Sequence, residues 1–119
     1  MLNSFLGKRL LGCKYAIKGA WLLLKSEASI QVQAVIVIGV TIAGFYYELS
    51  SIEWMFQVLA IGLVICIEGV NTAVEEIADF IHPEHNKKIG FIKDIAAGAV
   101  FFAALAAVII ACFIYIPKF

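Results

Sequence analysis

The stretch IEGVNTAVEEIADF, residues 67–80, places Glu68, Asn71, Glu75, Glu76 and Asp79 at the end of a long apolar run. On a helix turning about 100° per residue, Glu68, Asn71, Glu75 and Asp79 fall in one narrow stripe, and Glu76 points elsewhere. Glu68 is the most unusual of them. It sits roughly 7–8 Å inside the end of the apolar run at about 1.5 Å per residue, where an ionised carboxylate costs a few kcal/mol unless it faces protein or a wet cleft. A carboxylate held in such a place is a candidate general base.

Other chemistry-bearing residues converge on the same depth. Glu27 lies at the start of another apolar run and Glu75 lies two turns beyond Glu68. Two carboxylates at a water–lipid border suit Mg²⁺, which takes hard oxygen ligands, few of them from protein and the rest from phosphate and water. The segment HPEHNKKIGFIKD, residues 82–94, adds Lys87, Lys88, Lys93 and Asp94 together with two histidines and an amide. Lysines there can hold phosphate as point charges, and they are also what a cytoplasmic loop carries for topological reasons alone. His82 and His85 lack the partners of a zinc site. Neither GxxxxGK[ST] nor GxGxxG nor a Ser-His-Asp arrangement is present, so a soluble nucleotide-binding fold is not expected.

The elements that must position these groups are membrane helices. Of 119 residues, 63% are hydrophobic and 15% charged, which is too apolar for one small soluble domain. Three runs, at residues 28–47, 54–73 and 95–116, approach the roughly 20 residues that cross a bilayer. Backbone groups in lipid must be satisfied within each segment, so these runs are expected as helices. Lys8, Arg9, Lys14, Lys18 and Lys25 precede the first run, and Lys87, Lys88 and Lys93 separate the second from the third. The linker ELSSIE, residues 48–53, has neither Lys nor Arg. The N-terminus and the 82–94 loop are therefore expected in the cytoplasm and residues 48–53 outside.

Residues 3–26 carry Leu6, Cys13, Ile17, Ala20 and Leu24 on one helical side and Lys14, Lys18 and Lys25 on another. That pattern suits an amphipathic helix lying in the membrane surface, with Trp21 at the interfacial belt. Lys8, Arg9, Lys14 and Lys18 interrupt each early apolar stretch, which is not the pattern of a cleaved signal peptide. Cys13, Cys66 and Cys112 are scattered, without metal-type spacing, and read as small apolar fillers. With a formal net charge of zero and no basic-aromatic motif, nucleic acid is not an expected partner. The expectation is a single membrane-embedded, all-α domain over residues 1–119.

YAIKG at 15–19, the glutamate of KSEASIQ at 25–31, EGVNTAVEEIAD at 68–79 and KDIAAGAV at 93–100 resemble the prokaryotic integral-membrane diacylglycerol kinase and undecaprenol kinase family over nearly the full length. The resemblance implies a homotrimer, each protomer with one surface helix and three spans, transferring the γ-phosphoryl group of ATP to a lipid hydroxyl at the cytoplasmic membrane face. By motif it implies Glu68 as general base with Asn71 beside it, and Glu27 and Glu75 as Mg²⁺ ligands. It also implies Lys93 and Asp94 on the nucleotide, with Glu84, His85 and Asn86 near it, Tyr15 and Lys8 or Arg9 as N-terminal contacts, and Ala97 near the lipid. Gln31 and Gln33 stand where the family often has a basic residue and further polar groups. The NTAVE and KDIAAGAV forms are nearer the undecaprenol kinase branch. Outside the resemblance, an intramembrane glutamate also fits a small proton-coupled transporter, which gives no reason for Glu75, Lys93 and Asp94.

Overall fold

The computed structural model describes residues 2–119, with side chains from Ser4 onward. Four helices follow one another: α1, Leu2–Ser26; α2, Ala28–Tyr46; α3, Ser51–Ile81; and α4, Lys87–Tyr115, which closes with a 3₁₀ turn at Ile116–Lys118. Helices α2, α3 and α4 are each long and apolar enough to cross a membrane, so the protein is a multi-pass membrane protein.

The helix boundaries follow from local chemistry. Ser50 accepts from the Glu53 backbone N–H while the Glu53 carboxylate accepts from the Ser50 N–H, a capping box that starts α3. Just before it, Glu48 takes a left-handed conformation (φ 54°), and the Leu49 N–H returns to the Gly44 carbonyl. Gly44 is needed for the close approach of α2 to α3, since a Cβ there would lie 2.8 Å from Trp54 Cζ2.

Helix α4 begins earlier than a loop over 82–94 would allow. The Asn86 side chain accepts from the backbone N–H groups of Lys88 and Ile89, and this cap starts the helix at Lys87. The connection shrinks to residues 82–86, and KKIGFIKD is helical. Likewise α3 runs on past residue 73 to Ile81, carrying the whole acidic stripe on one continuous helix.

Packing is thinnest where lipid is expected to take over. The buried apolar side chains among the described residues are few and mostly small, with Ala60, Val64, Ala78 and Ala103 along the α3–α4 contact. Small residues let helix backbones approach, and van der Waals contact then holds them. Phe45, Phe80, Phe102 and Phe113 project outward, 69–90% exposed. The extents are 49 × 48 × 22 Å, of which one long dimension is about the length of the 31-residue α3. Between α2, α3 and α4 lies an apolar cleft of about 280 Å³, lined among others by Gln33, Val37, Val64 and Ala107.

Candidate active site at the Glu68 end of the bundle

Gln57, Ala60, Val64 and Ala78 are the buried residues of α3, and helical spacing puts them on the face that carries Glu68, Asn71, Glu75 and Asp79. The acidic stripe therefore continues the packing face of α3. Glu68 and Asn71 are half-buried, while Glu75 and Asp79 are exposed. The Thr72 hydroxyl donates to the Glu68 carbonyl at 3.1 Å. Asn71 Nδ2 donates to Glu75 Oε1 at 3.3 Å, which leaves Asn71 Oδ1 buried with no hydrogen-bond partner among the described residues. An unpaired buried acceptor costs about 1–3 kcal/mol; a substrate hydroxyl is a donor that could relieve it.

Helix α4 and its leading loop supply the basic side. Lys93 Nζ donates to Asp79 Oδ1 at 2.5 Å, joining α4 to the end of the stripe. Asp94 is exposed beside it, and Ala97, one turn further along α4, is also exposed. The Asn86 side chain is engaged as the α4 cap. His82 Nδ1 lies 2.7 Å from the Glu84 carbonyl, and the His85 ring lies beside Gly90.

Glu27 enters from a third direction. It is the residue between α1 and α2, extended at φ −106° and ψ 117°, and its carboxylate makes no capping bond. The Glu27 N–H donates to the Leu23 carbonyl at 3.0 Å, and its carbonyl accepts from the Gln31 N–H at 3.1 Å. Gln31 Nε2 lies 3.1 Å from both the Leu24 and the Lys25 carbonyl. Leu23 packs on Gly69, where a Cβ would come within 3.1 Å of Leu23 Cδ1. Since Gly69 follows Glu68 directly, this contact seats the end of α1 beside the stripe.

Lys8, Arg9 and Tyr15 are not brought to this group within one chain. They lie on the exposed length of α1, where the Arg9 guanidinium stacks over Phe5 of the same helix at 5.3 Å. Sequence reasoning missed the Asp79–Lys93 pair, although the fit of Asp79 to the stripe was a signal for it. It also missed the bracing of α1 by Gln31, for which residue spacing offers no signal.

The donor set fits Mg²⁺ in one particular way. Among the described residues no three His, Cys, Asp or Glu side chains gather into a metal cage. Glu27, with its carboxylate free of capping, and the exposed Glu75 are hard oxygen donors. They suit an ion that keeps waters and takes its other ligands from phosphate, as Mg²⁺ does.

The chain is similar to known proteins along most of its length. A family model described as "Prokaryotic diacylglycerol kinase" matches residues 14–115. The chain is 39% identical over 104 residues to an undecaprenol kinase of Bacillus subtilis, covering 87% of this chain and 85% of that protein. It is 27% identical over 96 residues to a diacylglycerol kinase of Escherichia coli K12, covering 81% and 76%. A diacylglycerol kinase of Synechocystis is 28% identical over 109 residues, covering 91% of this chain and 62% of that protein. With its three membrane-crossing helices and an acidic stripe meeting a lysine at one end, the chain belongs to the prokaryotic diacylglycerol kinase family, and so to the lipid phosphotransferases.

Proposed function

We propose that this protein is an ATP- and Mg²⁺-dependent kinase of a membrane lipid alcohol, working at the cytoplasmic face of the bacterial inner membrane. Undecaprenol is the first alcohol to test, because the 39% identical relative is an undecaprenol kinase; diacylglycerol is the second, after the other relatives. The observation that carries the reading is the half-buried Glu68 one turn from Asn71, whose Oδ1 is buried and has no partner among the described residues. The positive-inside distribution of lysines supports the cytoplasmic orientation. The amphipathic pattern of α1 supports its lying in the membrane surface. The exposed apolar flanks leave room for two further copies in a homotrimer, the assembly implied by the family resemblance.

The chemistry assigned to each residue is modest, as phosphoryl transfer requires. The lipid is held at the interface by its own tail, so its hydroxyl needs only to be oriented. Asn71 Oδ1 accepts from that hydroxyl as the lipid enters; the O–H then turns to Glu68, which takes its proton. The lipid oxygen then bonds to the γ-phosphorus as the bond to the β,γ-bridging oxygen breaks, ADP departs, and the proton on Glu68 returns to water. Lys93 and Asp94 hold the nucleotide, with Glu84, His85 and Asn86 close by and Tyr15, Lys8 and Arg9 reaching it from α1. Ala97 leaves space for the lipid. Glu27 and Glu75 would hold Mg²⁺, which when bound supplies charge neutralisation on the β- and γ-phosphates.

The test is transfer of label from ATP in mixed micelles, with undecaprenol and diacylglycerol offered separately, with and without chelator. Label in one lipid that disappears with chelation and with Glu68→Gln supports the reading and names the substrate. Folded protein that labels neither lipid overturns it.

A further inference from the structure

Gln31 touches both sides of the one non-helical residue between α1 and α2. Its N–H donates to the Glu27 carbonyl, and its side-chain amide reaches back six and seven residues to the Lys25 and Leu24 carbonyls. The last carbonyls of a helix have no partner within it. Gln31 supplies the missing donor to two of them. Between these bonds, Glu27 has little freedom left. Its N–H and carbonyl are both committed, its neighbours on the α1 side are tied to α2, and Leu23 is seated on Gly69. Among the described residues, its carboxylate is left without a hydrogen-bond partner.

We infer that Gln31 is a positioning residue: by clamping the end of α1 onto the first turn of α2, it fixes the direction in which the Glu27 carboxylate is presented to the metal–nucleotide. The inference rests on the reading of Glu27 as a metal ligand. Its amide nitrogen is committed to backbone carbonyls, so Gln31 acts through the backbone of the ligand residue, as outer partners of metal ligands do elsewhere. A glutamine suits the task because it spans to two carbonyls. An arginine also has donors enough for both carbonyls. A methionine matches the length and has no donor.

The experiment measures Mn²⁺ binding to the full-length protein by electron paramagnetic resonance, with a non-hydrolysable ATP analogue present. Wild type, Glu27→Gln, Gln31→Met and Gln31→Arg are compared, and thermal stability is recorded for each. The expected result is that Gln31→Met weakens Mn²⁺ binding about tenfold, the low end for partners of metal ligands. Gln31→Arg should bind as wild type, and the Mg²⁺ concentration for half-maximal activity should rise in Gln31→Met while the lipid KM stays fixed. If Gln31→Met does not fold, Gln31→Asn, one methylene too short for the Leu24 carbonyl, is held to the same expectation. Mn²⁺ binding in the folded glutamine variant equal to wild type, with stability alone reduced, overturns the inference and leaves the metal reading standing. Wild type that binds Mn²⁺ no better than Glu27→Gln overturns both.

Discussion

Lys93 on α4 donates to Asp79 on α3 across 2.5 Å, so the lysine assigned to the nucleotide is already paired with the last acid of the stripe. The two side chains are 35% and 58% exposed, and exposed ion pairs contribute about 0–1 kcal/mol. A triphosphate, with several charged oxygens, should therefore draw Lys93 away at little cost. Lys93→Met is expected to raise the KM for ATP at least about tenfold, the loss of a charge-assisted contact worth about 1.5–3 kcal/mol. Asp79→Asn should change it less than about fivefold. Initial rates over a range of ATP concentrations at saturating lipid decide the matter, and a larger effect from Asp79→Asn than from Lys93→Met would contradict the assignment.

Glu68→Gln keeps the shape of the side chain and removes its ability to take a proton. General-base help contributes about 10²–10⁴-fold, so kcat should fall by at least about a hundredfold while the KM for ATP holds steady. Circular dichroism and thermal unfolding in detergent should match wild type. A turnover within about fivefold of wild type would remove Glu68 from the chemistry.

Metal dependence gives a separate handle on the carboxylates. Chelation should abolish transfer, and added Mg²⁺ should restore it. Glu75→Gln should raise the Mg²⁺ concentration needed for half-maximal rate about tenfold or more. Its neighbour Glu76, which points off the stripe, should tolerate Gln with no such change. Titration of activity against Mg²⁺ at fixed ATP distinguishes the two, and equal sensitivity at Glu75 and Glu76 would count against the stripe as the ligand face.

The parts of this architecture visible in sequence are those written in one residue's chemistry or in a short period. The three membrane helices follow from uninterrupted apolar length, and the stripe of Glu68, Asn71, Glu75 and Asp79 follows from helical spacing alone. The start of α4 at Lys87 was hidden because the polar run 82–94 reads as a loop until the Asn86 cap is seen accepting from Lys88 and Ile89. The seating of Leu23 on Gly69 and the reach of Gln31 to Leu24 and Lys25 depend on how α1 turns into α2. That angle is set by the single extended residue Glu27, and no periodic pattern records it. The polar cluster at the far end was hidden for another reason: Gln57 and Tyr115 are 58 residues apart in sequence, and each alone reads as an ordinary interfacial residue.

That cluster gives the last prediction. Gln57 is 5% exposed, its Nε2 donates to the Val40 carbonyl at 3.0 Å, and its Oε1 accepts from the Tyr115 hydroxyl, so one amide links α2, α3 and α4. Interhelical hydrogen bonds in membranes average about 0.6 kcal/mol and reach about 1.7. Tyr115→Phe also leaves the buried Gln57 oxygen unpaired. The loss of stability should therefore be about 1–2 kcal/mol. Gln57 lies eleven residues from Glu68 along α3, about 16 Å at 1.5 Å per residue, so kcat and both KM values should not move. Adding Gln57→Leu to Tyr115→Phe removes the orphaned Gln57 oxygen and should recover part of the loss, the rest remaining because the Val40 carbonyl gives up both of its side-chain donors. Unfolding of the reconstituted protein by added denaturing detergent measures the three stabilities. A double variant weaker than the sum of its single variants would mean that packing at Gln57, rather than its hydrogen bonds, holds that end together.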